Sequence, residues 1–600
     1  SVAITMPSTT VTLAAVGNKA TYNEVTATTA QQTLIINAGV TVKKLTVKGG
    51  NLKIYGKVEQ LVHDAGNTTI YIIKGTEASL PATIDSKFVV QSDVAVLKTA
   101  FANGEDFKLS ADADITGQNV SVPAGKSVVL DLNGYTLTAD NSATGKIIVL
   151  GKMTLKDSST EKKGKIVASQ DYTAASYNGS LIEIAGEDAS MTMESGNISA
   201  VRETPDSNGQ YGVGVTDGGD FTMTGGKIEA GWFAVAGNGN YKTQNSIINI
   251  TDGELISTAD YAVYLPQSGT TTISGGKVYG AAGGVCIQRG TLNVEGTALI
   301  TSKGTGSTGN WGDGTGGLDC AAINVSGAYG IATVNIKGGT LIAEAKSLIT
   351  EGTTYTPVIN VTGGTFSDPS VLKYMATNAT VDIKLLSNIN IAKTELATGY
   401  ILNAANATAN LNLNGHDIIN SSETADATPF TQIFTVQNGT LNISGNGNVK
   451  CDASATAKDD GYRMVIEARG YGTVNIHGGS YYNTQKLNTQ IDLIYARENG
   501  KINIYGGTFE SGKYGTPNND TDGRYWVLNL KNTDKNTASI QVSGGTFINF
   551  NPANPNMDDN ESYLVTGYEV TRDGSVYTAA HKVNDGRKEY IVAPTSQENR

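Results

Sequence analysis

The chain has 600 residues, of which 71 are Gly and 3 are Cys, and 17% of the residues are charged. Average proteins contain about 7% Gly and about 25% charged residues, so both values are unusual. The Gly residues have no three-residue period, which excludes collagen, and three Cys cannot build a disulfide scaffold. The net charge of -12 argues against a nucleic-acid surface, and no apolar run is long enough for a membrane-spanning helix.

Residues 1–91 form the first predicted region. Within it, residues 33–73 alternate apolar and polar positions and are often interrupted by turns. A period of two is typical of strands. We therefore expect a β-rich or solenoid domain with short coils. The sequence begins at Ser1 without a recognisable signal peptide, so a leader was either removed or not needed.

A short phrase recurs along the rest of the chain: alternating apolar residues, a polar residue, Gly-Gly, any residue and an apolar residue. It reads FTMTGGKI at 221–228 and INIYGGTF at 502–509. Further copies lie at 271–278, 334–341, 359–366, 474–481 and 540–547. A second strand phrase, such as YAVYL at 261–265, precedes most copies. One repeat thus holds about three short strands joined by tight bends, at which Gly supplies a positive φ.

A single repeat of this kind cannot bury its own apolar side, but stacked repeats bury a continuous interior. The pattern therefore predicts an all-β, right-handed parallel β-helix. A propeller or an array of β-sandwiches is the alternative. A propeller needs four antiparallel strands in every ~40–50 residues, and the intervals here are shorter.

A larger duplication divides the β-helix into two tandem modules. LDLNGYTL at 130–137 in the first module corresponds to LNLNGHDI at 411–418 in the second. We place the modules at 92–366 and 367–562, and we expect each to begin with a short amphipathic helix. In the second, Asp368 and Pro369 are the expected N-cap and first helical residue.

The end of the chain, residues 563–600, predicts a closing hairpin cap. YLVTGYEVTRDGSVYTAAHKV reads as two antiparallel strands, with Asp573-Gly574 at the turn. Such a cover protects the exposed end of a stack of coils.

These residues resemble a known family. VPAGKSVVLDLNGYTLT at 122–138 followed by GGTF coils is similar to the pectate-lyase-like β-helix superfamily. The Gly-Tyr-Glu-Val at 567–570 resembles the end of surface or secreted β-helix proteins of gut Bacteroidales and Firmicutes, and of their phages. The resemblance implies a fold more than a function, because the superfamily includes lyases, glycosidases, adhesins and phage fibres.

One cluster of charged residues in the second module is a candidate ligand site. Arg469, Arg497 and Lys531 occupy matching positions of three successive coils, and Glu467 and Glu498 lie beside them. Like charges about 5 Å apart need an anionic partner. That partner is either an acidic sugar or the neighbouring carboxylates, which would leave only solvated turn charges. The first module offers no column of carboxylates, so we assign no catalytic residue.

Long insertions fall at one position of the coil, which predicts an uneven loop face on one side of the solenoid. They span 199–210, 302–319, 452–462, 482–490 and 511–524. The aromatic residues proposed to contact a ligand there are Trp232, Trp311, Tyr482, Tyr514 and Tyr525. Such rings suit glycan stacking or protein contacts. Alternatively, they pack the loops onto the β-helix.

Calcium is the only ion for which the sequence offers a site. Asn518, Asp520 and Asp522 match the first half of an EF-hand loop. Asn529 stands where the loop needs Glu, so a plain surface turn is the alternative. His477 lies in a slot that carries Thr, Ser, Lys or Tyr in other copies, which predicts exposure rather than catalysis.

These observations favour a non-catalytic adhesin or fibre, extracellular or on a virion surface, that binds a glycan or a surface protein. A polysaccharide lyase or glycosidase acting on acidic glycans is the first alternative. The second is a phage fibre or decoration protein, which would be a homo-oligomer and, as a fibre, a trimer. No cofactor, nucleic-acid partner or membrane span is expected.

Overall fold

A computed structural model describes most of the chain. The described residues are 10–15, 17, 19–28, 33–140, 144–170, 179–201, 210–238, 244–304, 320–344, 347–352, 354–391, 399–420, 430–451, 462–483, 491–511, 525–555 and 561–582. The chain divides into two compact units, an N-terminal unit (Ser1–Asn360) and a C-terminal unit (Val361–Arg600).

The N-terminal unit begins with a narrow solenoid that has two strands in each coil. Its five-stranded parallel sheet contains Val11–Leu13, Thr33–Ile36, Asn51–Ile54, Ile70–Lys74 and Phe88–Ser92. The three-stranded parallel sheet contains Ala20–Ala27, Val40–Val47 and Lys57–His63. Side chains alternate between buried and exposed, as the period of two predicts.

The rest of this unit is a β-helix with three parallel sheets, which are named here in the order in which each coil visits them. The first sheet contains Val120–Val122, Ile147–Val149, Gly179–Ala185, Gln210–Thr216, Val235–Ala236, Tyr261–Leu265, Gly283–Ile287, Ala321–Val325 and Ser347–Glu351. The second contains Phe107–Lys108, Ser127–Asp131, Lys152–Lys156, Ser190–Met193, Asp220–Met223, Ser246–Ile250, Gly269–Ile273, Gly290–Val294 and Ala332–Ile336. The third contains Ala113–Asp114, Thr136–Ala139, Lys165–Ala168, Asn197–Ala200, Lys227–Ala230, Glu254–Ser257, Lys277–Gly280, Leu299–Ser302 and Thr340–Ala343. A further strand, Val358–Val361, spans the boundary of the two units.

The C-terminal unit repeats this plan, but the first two strands of a coil often run together. Tyr462–Ile476 pairs in parallel with both Ile491–Ala496 and Lys501–Ile504 of the next coil. The other strands of these two positions are Thr380–Lys384, Tyr400–Asn412, Phe430–Ser444, Tyr525–Leu530 and Ser539–Val542. Thr365–Phe366, which follows a Gly pair, is a third-position strand. The remaining sheet contains Ile389–Asn390, Ile418–Asn420, Asn448–Cys451, Ser480–Asn483, Thr508–Ser511 and Gly545–Ile548.

The closing hairpin is antiparallel, as predicted. Tyr568–Asp573 pairs with Val576–His581, which in turn pairs with Gly545–Ile548. The two loop residues are Gly574 and Ser575, so the turn lies one residue later than the sequence predicts. The hairpin closes a stack of parallel sheets, and the predicted parallel β-helix is confirmed by those sheets.

The interior of each unit is built from columns of apolar side chains in register. Ile166, Ile198 and Ile228 follow one another in the third sheet and are fully buried. In the C-terminal unit, the rings of Tyr481, Phe509 and Phe547 stack with centroids 5.0 Å apart at each step. Each such side chain contributes about 1.5–3 kcal/mol of burial free energy, so the stack of coils is the main source of stability.

The Gly pairs turn the chain between the second and third strands of a coil. The second Gly has a positive φ, 87° at both Gly226 and Gly479. A Cβ on Gly226 would lie 2.5 Å from the carbonyl oxygen of Gly196 in the preceding coil. Backbone conformation and close stacking therefore both require Gly here.

A helix begins the first module, as predicted. The α-helix Val94–Asn103 is capped by Asp93, whose Oδ1 accepts hydrogen bonds from the amides of Ala95 and Val96 at 3.0 and 3.3 Å. Gly104 ends it in the left-handed conformation. The buried face of the helix covers the first coil.

The second module begins with a shorter element. Pro369–Tyr374 is a 3₁₀ helix, and Asp368 caps it by accepting a hydrogen bond from the Ser370 amide at 2.6 Å. The predicted N-cap is thus present, but the element that it begins is a six-residue 3₁₀ helix rather than an α-helix. A second 3₁₀ helix spans Asn532–Asp534.

A ladder of amides follows the outer face of the C-terminal unit. The Nδ2 groups of Asn410, Asn442, Asn475 and Asn503 each donate to the side chain one coil earlier, at 2.8–3.0 Å, and Asp382 is the first acceptor. Identical polar side chains at the coil spacing favour one register over its neighbours.

Candidate functional site

In the N-terminal unit, the strands of the first sheet from Val235–Ala236 to Ala321–Val325 are buried on both faces. All five residues of Tyr261–Leu265 are buried. Val263 and Leu265 point into the β-helix, so Tyr264 points out, and its register partners are Cys286 and then Asn324. These side chains form an outer column on the side of the coil that precedes the second sheet.

The corresponding outer column in the C-terminal unit has a different chemistry. Thr435, Glu467, Tyr495 and Asn529 are successive register partners. Glu467 is only 2% exposed, although strand alternation places it outside the apolar interior. A buried carboxylate outside the core needs partners, and its surroundings define the main candidate site.

A cluster of aromatic side chains packs on the outer face of the first sheet in the N-terminal unit. Phe233 stacks on Tyr264 with centroids 4.8 Å apart, and Tyr211 lies 6.3 Å from Trp232 in a stacked arrangement. Trp232 is 7% exposed and also contacts Phe233. Its ring therefore packs within the protein, which was the alternative to ligand stacking for this residue.

Tyr261 and Asn324 add a polar contact to this region. Asn324 Nδ2 donates to Tyr261 Oη at 3.2 Å, and both residues are fully buried. Burial raises the pKa of Tyr261 well above its ordinary value, so the phenol stays protonated. Cys286 and Cys451 are buried, and Cys320 is half-buried.

In the C-terminal unit, Glu467 lies between two arginines. Arg497 Nε donates to Glu467 Oε1 at 2.6 Å, and Arg497 Nη1 donates to Glu498. Arg469 Nη1 lies 3.9 Å from Glu467 Oε2, which has no hydrogen-bond donor among the described residues. We call Glu467, Arg469, Arg497, Glu498 and Lys531 the charged corner.

The register confirms that the three basic residues occupy matching positions. They follow Ala468, Ala496 and Leu530, which are partners in adjacent strands. They do not form an unpaired basic ladder, however, because each cation has a carboxylate within 4 Å. Lys531 Nζ lies 3.4 Å from Asp534, while Glu467 serves both arginines. The partners are therefore the protein's own acids.

The environment of the charged corner shifts two pKa values. Burial and the negative charge of Asp492 raise the pKa of Tyr495 to about 12. Burial disfavours the charged form of Arg497, but the hydrogen bond to Glu467 and the negative charges of Glu467 and Glu498 together outweigh burial and raise the pKa of the guanidinium group. At neutral pH, Tyr495 therefore stays protonated and neutral and Arg497 stays protonated and positively charged, so neither group exchanges a proton there.

The sequence prediction missed Asp492 and Asn529, which lie next to this site. Asn529 Nδ2 donates to Asp492 Oδ1 at 2.9 Å, and Asp492 is buried. The available signal was an acidic residue inside the apolar strand phrase IDLIYA. A charge in such a phrase needs a partner on the next coil.

An exposed ring borders the charged corner. Tyr471 is 76% exposed and follows Gly470, whose amide donates to Glu498 Oε2 at 2.9 Å. Tyr482, another predicted ligand contact, is half-exposed on the outer face of the remaining sheet. His477 is exposed and stacks on Tyr505 with centroids 4.7 Å apart, in agreement with the predicted solvent-facing slot.

Several predicted residues lie outside the described part of the chain. Trp311, Tyr514, Asn518, Asp520 and Asp522 belong to this group, as does the side chain of Tyr525. Most of the five insertions also lie outside it. The loop face and the calcium site therefore stay predictions.

Among the described residues, no three His, Cys, Asp or Glu side chains cluster closely enough to hold a metal ion. The helices in the same ranges are too short or too polar to cross a membrane. Fold and site together define a parallel β-helix with a self-neutralised charged corner. No protein-family model, curated protein or solved structure matches the chain.

Proposed function

We propose that this chain is a non-catalytic surface protein, an adhesin or fibre, whose β-helix presents the charged corner and Tyr471 to a neutral glycan. The observation that carries the proposal is the exposed ring of Tyr471 beside a network of fixed charges. The ring lies on a strand of the stacked scaffold, so little conformational entropy is lost when it binds a ligand.

The ring supplies the apolar part of the site. Sugar rings present C–H groups on one face, and these pack on aromatic faces. Tyr471 is the most exposed large apolar side chain of the described residues, at 76%. Because the ring is exposed, its truncation leaves no cavity. A role in packing therefore does not explain why a tyrosine stands at this position.

The charged corner supplies the polar part. Arg497 bridges Glu467 and Glu498, and Asp534 neutralises Lys531. Paired carboxylates and guanidinium groups still offer spare lone pairs and N–H donors to sugar hydroxyl groups. An anionic sugar would have to displace Glu467 or Glu498 from Arg497, so a neutral glycan fits better.

The resemblance to pectate-lyase-like surface and phage proteins agrees with this role and with an extracellular or virion-surface location. A fibre of this kind would be a homo-oligomer, trimeric on a virion. Light scattering of the purified chain tests that part of the proposal: a monomer at micromolar concentration contradicts a fibre but leaves an adhesin intact.

The glycan proposal is tested with the labelled chain on an array of neutral and acidic oligosaccharides, followed by calorimetric titration of the strongest neutral ligand. Tyr471→Ala is expected to weaken binding about tenfold or more, because truncating an aromatic residue at the centre of an interface costs about 2 kcal/mol or more. Tyr71→Ala removes an exposed tyrosine of the N-terminal unit and is expected to leave binding unchanged.

Absence of any neutral ligand, or equal binding by the Tyr471→Ala variant, would contradict the proposal. Incubation with pectin, alginate and glycosaminoglycans, followed by ultraviolet detection of unsaturated products, tests the non-catalytic part. Product formation would favour the lyase alternative instead.

A further inference from the structure

The N-terminal unit contains a second polar corner, centred on Arg289. Arg289 follows the first-sheet strand Gly283–Ile287 and the buried Gln288. Gln288 Oε1 accepts hydrogen bonds from Ser326 Oγ at 2.5 Å and from the amide of Ala328 at 3.2 Å. These bonds hold the segment after Val325 against the corner, so the backbone that carries the Arg289 side chain is fixed.

The guanidinium group of Arg289 is largely unused. Its Nη1 donates to the Tyr329 carbonyl oxygen at 3.4 Å, a long hydrogen bond. A guanidinium group has five N–H donors. In the described part of the chain, no carboxylate lies within 4.0 Å of Arg289, although the side chain is half-buried. Arg469 and Arg497, which are also half-buried, both pair with Glu467.

A small cleft opens beside Arg289. It has room for about one water-sized group, and its lining combines apolar Leu265 and Ile248 with polar Gln267 and Thr291. Gln267 is rigid, because its Nε2 donates to Ser246 Oγ at 2.6 Å and to the Val215 carbonyl oxygen at 3.0 Å. The inner part is narrow, so a ligand inserts a functional group rather than a ring.

We propose that Arg289 and this cleft bind the carboxylate group of a hydroxy acid, either a small free acid or an acidic sugar. A planar carboxylate matches the guanidinium fork, and one of its oxygens fits the narrow part of the cleft. Thr291 lines the cleft from the outward-facing column of the second sheet, and its hydroxyl group suits the hydroxyl of such a ligand. This site is separate from the charged corner and does not depend on the proposed glycan function.

Calorimetric titration of the full chain with glucuronate, lactate and glucose tests the site. We expect millimolar binding of the acids and no binding of glucose, which shares the ring of glucuronate but lacks its charge. Stronger binding of glucuronate than of lactate identifies the acidic sugar as the source, and the reverse identifies the free acid.

Arg289→Gln is expected to weaken acid binding at least about tenfold, the loss associated with a charge-assisted hydrogen bond. Arg289→Lys keeps the charge but not the fork and is expected to weaken binding severalfold; it also keeps the test informative if the Gln variant fails to fold. Arg572→Gln, which removes an exposed charge from the closing hairpin, is the matched control and should bind like the parent. No acid binding, equal binding of glucose, or parent-like binding by either Arg289 variant would overturn the proposal.

Discussion

The two units place an arginine at the corner that follows the first strand of a coil, but they use it differently. In the C-terminal unit, Arg497 is bound to Glu467, which occupies the outer column. In the N-terminal unit, Tyr264 occupies that column one coil before Arg289, and Arg289 donates only to a carbonyl oxygen among the described residues. Similar positions in the coil therefore produce a neutralised corner in one unit and an available cation in the other.

The difference teaches that a basic residue at a solenoid corner is not in itself a binding site. The residue of the outer column one coil away decides whether the charge is neutralised within the protein. A carboxylate there satisfies the cation and stiffens the coil stack. An uncharged residue there, such as Tyr264, leaves the guanidinium group for a ligand.

Removing the carboxylate from the charged corner has the largest expected effect. Glu467→Ala leaves the half-buried Arg497 without its closest partner and should lower the free energy of unfolding by about 3 kcal/mol, the usual cost of breaking a buried pair. The decrease in the urea midpoint measures it. Glu498→Ala removes the 43% exposed partner of the same arginine and should cost less than about 1 kcal/mol. Equal losses in the two variants would show that burial of Glu467 has no special importance.

Acid pH tests a buried carboxylate of the N-terminal unit whose donors are backbone amides. In the N-terminal unit, Asp157 accepts from the amides of Gly134 and Gly164 at 2.8 and 2.6 Å. Burial opposes its ionisation, but the hydrogen bonds, including those from Ser159, outweigh burial and lower the pKa of Asp157. A folded-state pKa below the unfolded one stabilises the protein above about pH 4, and this contribution is lost as the pH falls through the folded-state pKa.

Asp157→Asn is therefore expected to cost about 2 kcal/mol at neutral pH, since one amide loses its acceptor, and to flatten the loss of stability below about pH 4. Urea midpoints from pH 7 down to about pH 3 measure both effects. Asp188→Asn, at an exposed position, should change neither. An unchanged acid profile in the Asp157 variant would contradict the assigned role of its hydrogen bonds.

The smallest expected effect is a gain of binding that would erase the difference between the corners. In an Arg289→Gln background, Glu467→Gln with Glu498→Gln releases Arg497 and should restore glucuronate binding about tenfold. Calorimetric titration measures it, and the Arg289→Gln parent is the control. A triple variant that binds no better than this parent would show that freeing the charge is insufficient.

Much of the fold could be predicted from residue order because its determinants are local. Alternation of apolar residues sets the strands, Gly pairs such as Gly225-Gly226 set the bends, and repetition sets the stacking. The cap at Asp93 and the closing hairpin follow from equally short segments. The 3₁₀ form of the second helix was missed because it depends on the length of the element.

The candidate site was less predictable because its properties depend on neighbours from other coils. The matching positions of Arg469 and Arg497 follow from the repeat, yet their pairing with Glu467 depends on which side chain is buried beside them. Trp232 looks like a ligand contact in the sequence and is packed against Phe233 in the structure. Arg289 was not singled out at all, since an unpaired charge is recognised only by its surroundings.

Sequence alone determined the parallel β-helix, because nearly every coil repeats the same alternation of apolar residues and the same Gly-containing bend. Stacking of many coils tolerates the few that depart from this pattern. Tertiary structure alone decided which charges are neutralised, since ion pairing depends on distances of a few ångströms between residues about 30 positions apart in the chain, as in Glu467 and Arg497. Electrostatic attraction acts through space rather than along the chain. The high Gly content and low charge therefore predicted the scaffold, while the chemistry of its corners required the coordinates.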